Sequence, residues 1–207
     1  MLKHFLLVTS IIMSSHVIAE SPVKIENLET SLDCINDQVE IVQGRNGEYY
    51  IEAFFFDMDA TIDGTLALSQ KKSCLMNYNL KVAPGYRLEF IDFSVDANYE
   101  LSNSGSVRLT VSHRVENAPS VRTTVSKRAA NGDPLAGDIN DHTGTIKANQ
   151  LGHSSQQCGA SIPLKTSLYA QARMPSTDRG QITSVTLDEG VSSSGFDIAR
   201  VRCVPCS

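Results

Sequence analysis

The chain has 207 residues, with 18 Lys+Arg against 23 Asp+Glu for a formal charge of −5, five cysteines and no tryptophan. A mildly acidic balance argues against nucleic acid as a partner, because phosphate contacts need clustered Lys and Arg to displace counterions. The length suits one ordinary domain, and no composition break or Pro/Ser-rich linker divides it.

At the N-terminus Lys3 and His4 supply a positive start, Phe5 to Met13 an apolar run interrupted by Thr9 and Ser10, and Val17-Ile18-Ala19 a cleavable end. This is the layout of an export signal, so residues 1–19 are read as a signal peptide and residues 20–207 as a single secreted domain. The apolar run is too short for a hydrocarbon core of ~30 Å, and no later segment approaches ~20 apolar residues, so no transmembrane segment is expected. The destination is the periplasm or the extracellular space.

Beyond the signal the hydrophobic period is two, the mark of half-buried strands. Residues 22–33 and 63–72 admit a helical turn, and strands are expected at 39–42 and 49–56. Cys74, Met76, Tyr78, Leu80 and Val82 then alternate with polar or partly polar neighbours. Ala83-Pro84-Gly85 offers a tight turn into a second strand from Tyr86, which predicts a hairpin. In that second strand Leu88 and Phe90 share one parity and Phe93 and Val95 the other, which predicts a bulge near Ile91-Asp92.

Val107, Leu109, Val111, His113 and Val115 repeat the alternation, and a strand at 121–125 follows. Asp138, Asn140, Asp141 and His142 crowd into a Gly-bounded segment, an oxygen-rich loop of the kind that can hold Ca²⁺. It lacks the glycine and the distant bidentate Glu of an EF-hand, so a solvated turn is expected there. Another long alternation runs over Ala160, Ile162, Leu164, Leu168 and Ala170, with Thr166 on the inward parity, and strands at 182–187 and 196–203 close the chain. His113 on an apolar parity reads as a core histidine, and His153 beside Ser154 and Ser155 lacks the elbow and the acid partner of a nucleophile site.

Cys34, Cys74, Cys158 and Cys203 all fall at strand ends, which predicts two bridges; local pairing suggests Cys34 with Cys74 and Cys158 with Cys203. Cys206 is then the spare thiol, free or available for an intermolecular bridge and hence a dimer. Its C-x-x-C spacing with Cys203 suits neither a redox pair, which needs a helix N-terminus, nor zinc, which needs two more ligands. No metal or cofactor is expected.

One segment points to an enzyme. Phe54-Phe55-Phe56-Asp57-Met58-Asp59-Ala60-Thr61 resembles the first motif of haloacid-dehalogenase-type phosphatases, with Asp57 in the place of the nucleophile, Asp59 in that of the general acid, and Mg²⁺ implied. That chemistry sits on a parallel sheet with helical crossovers, and the period-two pattern here predicts the other kind of sheet.

Several marks recur together: a Cys near the mature N-terminus, the run Phe54-Phe55-Phe56-Asp57, the basic pair Lys71-Lys72 before Cys74, and Pro84-Gly85 between two strands. Cys158-Gly159 and the terminal Arg202-Cys203 complete the set. In these the chain resembles the small secreted proteins of domain-of-unknown-function family 4360, over about residues 32–203. The resemblance implies export, a disulfide frame and a mainly β fold, and assigns no catalytic residue. Cys206 and the missing tryptophan depart from the family pattern.

Together these readings predict an all-β, antiparallel β-sandwich stapled by disulfides, with little helix. The function expected is that of a secreted binding or structural module, acting on an unknown extracellular or periplasmic ligand or protein. The alternative is a secreted hydrolase, at its sharpest an Mg-dependent phosphatase using Asp57 and Asp59.

Overall fold

A computed structural model describes residues 21–31, 34, 38–54, 58–65, 67–130, 133–187 and 196–206. Among the described residues twelve strands run in chain order, beginning with β1 (Val23–Thr30), β2 (Gln38–Gln43), β3 (Glu48–Phe54), β4 (Asp59–Ile62), β5 (Ser69–Val82) and β6 (Tyr86–Leu101). They continue as β7 (Ser106–Val115), β8 (Val121–Arg128), β9 (Leu135–Lys147), β10 (Ser161–Arg173), β11 (Thr183–Thr186) and β12 (Phe196–Pro205). The only helical pieces among the described residues are short 3₁₀ turns, and no helix is long and apolar enough to cross a membrane.

The strands form two antiparallel sheets. One has five strands in the order β1-β5-β10-β7-β8. In the other, β12 and β11 share one side of the long β6, β9 takes its opposite side, and β3, β2 and β4 extend the sheet outward. The alternation read from the sequence is the alternation between core and solvent: Met76, Leu80, Leu109, Ile162, Phe93 and Ile51 are fully buried between the sheets. Burial of such side chains, each stabilising by roughly 1.5–3 kcal/mol, is what holds the two layers together. Thr123 Oγ1 donates to Asp141 Oδ2 at 2.8 Å and ties β8 to β9 along one open side.

Several local expectations change once the strands pair. The turn at Pro84-Gly85 forms, with Gly85 at φ 84° and Tyr86 N donating to Ala83 O at 3.1 Å, but it does not make a hairpin. Both flanks of β5 are taken by β1 and β10, so the turn hands the chain over to the second sheet as β6. The parity change in β6 lies between Leu88 and Phe90, where the register against β12 slips, rather than at Ile91-Asp92.

Within the segments 22–33 and 63–72, which admitted a helical turn, residues 23–30 form the edge strand β1 and residues 69–72 begin β5. The Gly-bounded stretch from Asp138 to His142, read as a loop, lies within the strand β9. Its apolar parity is thin, with only Ile139 and Ile146 buried, because an edge strand has little core to cover.

Cys34 bridges Cys74 across a Cα–Cα distance of 5.3 Å, as local pairing suggested. The second bridge joins Cys158 to Cys206, at 6.3 Å, and leaves Cys203 as the free thiol. Register explains this correction. Cys203 sits inside the ladder opposite Leu88, whereas Cys206 runs on to the Pro84-Gly85 turn, where its N–H donates to Gly85 O at 2.8 Å. Cys158 is carried to the same turn by Gly159, whose N–H donates to Tyr86 O at 2.9 Å. A bridge from Cys206 to another chain is therefore replaced by one within the chain. Closing loops of 40 and 48 residues, the two bridges stabilise by about 4 kcal/mol each in the chain-entropy view.

Candidate functional site

The acidic residues singled out by the sequence do not assemble. Asp57 lies outside the described residues. Asp59 stands on β4, where it accepts from the hydroxyls of Thr61 and Thr186. Register places Asp59, Thr186, Asn98 and Asp138 in one row across β4, β11, β6 and β9. Three steps of about 4.8 Å put Asp138 roughly 14 Å from Asp59, too far to share a metal with it. The sheet around Asp59 is antiparallel, which removes the parallel frame that a phosphatase site of this kind requires.

The solvated turn expected at Asp138 to His142 is strand instead, and alternation along β9 separates its oxygen-rich side chains. Asp138 and Asn140 face one way while Asp141 faces the other, toward Thr123. No cluster of His, Cys, Asp or Glu able to hold a metal occurs among the described residues. His142 instead binds Asp92 Oδ1 at 2.7 Å, and Arg200 Nη2 binds Asp92 Oδ2 at 2.9 Å. Burial opposes ionisation of Asp92, but these partners and the Thr145 hydroxyl outweigh it and hold its carboxyl below the usual range. With both oxygens engaged, Asp92 serves as a tie between β6, β9 and β12.

Two further polar groups are internal. His113 stacks on Phe93 at a centroid distance of 4.1 Å, and Thr166 Oγ1 lies 3.0 Å from its Nδ1. His113 is thus the core histidine its parity predicted. His153, Ser154 and Ser155 occupy a 3₁₀ turn pinned by Glu116, which accepts from Gly152 N at 3.0 Å and Ser154 Oγ at 3.4 Å.

The candidate site is a surface that no contiguous motif marks. Strands β5, β7, β8 and β10 together carry 10 of the chain's 18 Lys and Arg and none of its 23 Asp and Glu. Antiparallel register then gathers most of these cations on the solvent side of the five-stranded sheet. Lys165 pairs with Arg114, and Ser167 with Ser112 and then Arg122. Further along, Gln171 stands between Lys71 and Arg108, and Arg173 begins the row Arg173, Ser106, Arg128. All these Lys and Arg side chains are exposed. Among the described residues no salt bridge neutralises Arg108, Arg122, Arg128, Lys165 or Arg173.

The acids gather elsewhere. On the outward side of β6 stand Asp92, Asp96 and Glu100, and β3 adds Glu48 and Glu52. The molecule is therefore polarised, with a basic outer face on one sheet and a predominantly acidic outer face on the other.

Three shallow clefts lie on the basic face. The first, about 520 Å³, is lined by Asn27, Asn77, Asn79, Arg114, Glu116 and Lys165 among others. The second, about 500 Å³, is lined by Arg108, Thr110, Ser112, Arg122, Ser167 and Tyr169. The third, about 260 Å³, involves Arg108, Arg128, Gln171 and Arg173. Along the sequence the only adjacent Lys/Arg pairs are Lys71-Lys72 and Lys127-Arg128. The one signal that could have found the face is negative: the absence of acid from four long alternating strands.

No protein-family model matches this chain, and no curated protein is similar enough to match it. Among solved structures the chain is similar to the module TmCBM61 in complex with β-1,4-galactotriose, at 10% identity and TM-score 0.22, over 90% of each chain. It is also similar to the family 11 carbohydrate-binding module of Clostridium thermocellum in complex with a mixed-linked tetrasaccharide. That match has 10% identity and TM-score 0.17, over 87% of this chain and 88% of the other. At scores this low the likeness says nothing of what this chain binds.

Proposed function

We propose that this chain is an exported, disulfide-stapled binding module that holds an anionic ligand on the outer face of its five-stranded sheet. The observation that carries the reading is the segregation of charge: on a chain of formal charge −5, four strands of that sheet hold ten cations and no acid. Stability alone disfavours such an arrangement, since like charges directly opposite across a ladder repel. A surface of one sign raises the local concentration of the opposite sign and speeds its capture. Export is supported by the signal-like segment 1–19, and the two bridges suit an oxidising compartment. Recognition then rests on the sheet face rather than on the loops at the ends of the sandwich.

The test is retention of residues 20–207 on immobilised dextran sulfate. Retention at low salt is expected, with elution as salt screens the contacts. The double variant Arg108→Glu/Arg122→Glu, with an unchanged unfolding midpoint, is expected to flow through. Flow-through of the unaltered protein at low salt would overturn the proposal.

A further inference from the structure

The three clefts are not scattered over the basic face. Each takes a successive stretch of β10: Pro163 and Lys165 in the first, Ser167 and Tyr169 in the second, Gln171 and Arg173 in the third. These are alternate residues on one face of one strand, so the clefts line up as one track along β10. From Pro163 to Arg173 it runs roughly 34 Å at about 3.4 Å per residue. A small anion would need one enclosed pocket with convergent donors. An open track of this length fits a linear ligand with repeated negative charge.

The two ends of the track differ in chemistry. Toward Arg173 it is lined by guanidinium groups, with Arg108 and Arg128 alongside. Toward Pro163 it carries four asparagines, Asn27, Asn77, Asn79 and Asn117, with Glu29 and Glu116 beside Arg114 and Lys165. Asn27 reaches this end because the register of β1 against β5 slips between Glu26 and Glu29, leaving it at φ 54°. A primary amide offers two donors and an acceptor, and a carboxylate offers acceptors only. That mixture suits hydroxyl groups, which both donate and accept, and adds nothing to the binding of bare phosphate. Tyr169 is the one aromatic side chain in the second cleft, and the third has none. Successive nucleobases would lack the stacking platforms that single-strand binders supply.

We infer that the ligand is a linear acidic polysaccharide lying along β10, its hydroxyls at the asparagine end and its carboxylate or sulfate groups over the arginine rows. This rests on the anion-binding reading of the same face, and it adds the requirement for hydroxyls.

The experiment compares three probes on residues 20–207 at one salt concentration: oligogalacturonate, inorganic polyphosphate of matched charge, and oligothymidylate. Oligogalacturonate is expected to bind about tenfold more tightly than polyphosphate, the increment of one or two net hydrogen bonds. Asn77→Ala/Asn79→Ala is expected to erase that margin while leaving polyphosphate affinity unchanged, which also shows that the variant is folded. Arg108→Glu/Arg122→Glu is expected to weaken all three. Equal affinity for oligogalacturonate and polyphosphate, indifference to the asparagine substitutions, or a preference for oligothymidylate would each overturn the polysaccharide inference and leave the anion face standing. Failure of every probe to bind would overturn both.

Discussion

Lys165 and Arg114 stand directly opposite each other across the β10–β7 ladder, both on the solvent side. Neither has a salt bridge to a described carboxylate, and Arg114 Nε instead donates to the Glu116 carbonyl at 3.3 Å. A directly opposed pair of like charges destabilises a sheet by roughly 0.2–1 kcal/mol. Replacing Lys165 with Thr, which has good strand propensity, is therefore expected to raise stability by about 0.5 kcal/mol in urea unfolding. The same variant should elute from dextran sulfate at lower salt. A loss of stability would show that the Lys165 stem contributes more by packing than its charge takes away.

The buried imidazole makes acid stability predictable. Burial pulls His113 from 6.5 down to about 3, so the folded protein keeps it neutral across most of the acid range. Below pH 6.5 the unfolded chain takes up a proton that the folded chain refuses. The contribution of this group is complete above pH 6.5 and falls by about 1.4 kcal/mol per unit as pH drops toward 3. His113→Gln removes the titration and should flatten the curve of unfolding free energy against pH over that interval. An unchanged slope would place the acid sensitivity on other groups.

The bridge pattern has a direct readout. Peptide mapping of the oxidised protein should give Cys34–Cys74 and Cys158–Cys206, with Cys203 as the remaining thiol. Burial pushes the Cys203 thiol up to about 12, so at pH 8 it is almost wholly protonated and unreactive. Alkylation is expected to be slow in the native protein and rapid after denaturation. A peptide linking Cys203 to Cys158 would contradict the register of β12.

The turn from β6 to β7 tests how closely the sheets are joined. A Cβ built on Gly105 would lie 2.8 Å from Ser102 Oγ, 3.0 Å from Ser102 N, and nearer still to Thr183 Oγ1. Those atoms belong to a buried network in which Ser102 Oγ donates to Asp178 Oδ2 at 2.9 Å and Ser104 N donates to the same oxygen at 2.7 Å. Gly105→Ala must push that network apart and is expected to lower unfolding free energy by about 1–3 kcal/mol. Equal stability in thermal and urea unfolding would show that the turn yields freely.

Much of the fold is legible along the chain because side-chain alternation is a local property. The parity of Cys74 to Val82, of Val107 to Val115 and of Ile162 to Ala170 is the parity of burial. The expectation of export, the expectation of two bridges and the antiparallel character follow from residue types and spacing alone. The edge strand β9 was hidden because only Ile139 and Ile146 are buried along it.

Pairing was beyond the sequence, and pairing decided the rest. Lys71, Arg108, Arg122 and Arg173 lie 37, 14 and 51 residues apart in turn and carry no local sign of belonging together, yet the order β5-β10-β7-β8 places them on one face. The choice of Cys206 over Cys203 likewise depended on where β12 falls against Leu88 and the Pro84-Gly85 turn. Alternation assigns each side chain to the core or to solvent, but which strands become neighbours is set by the packing of whole sheets. The net charge of the chain therefore concealed a basic face that only the tertiary structure assembles.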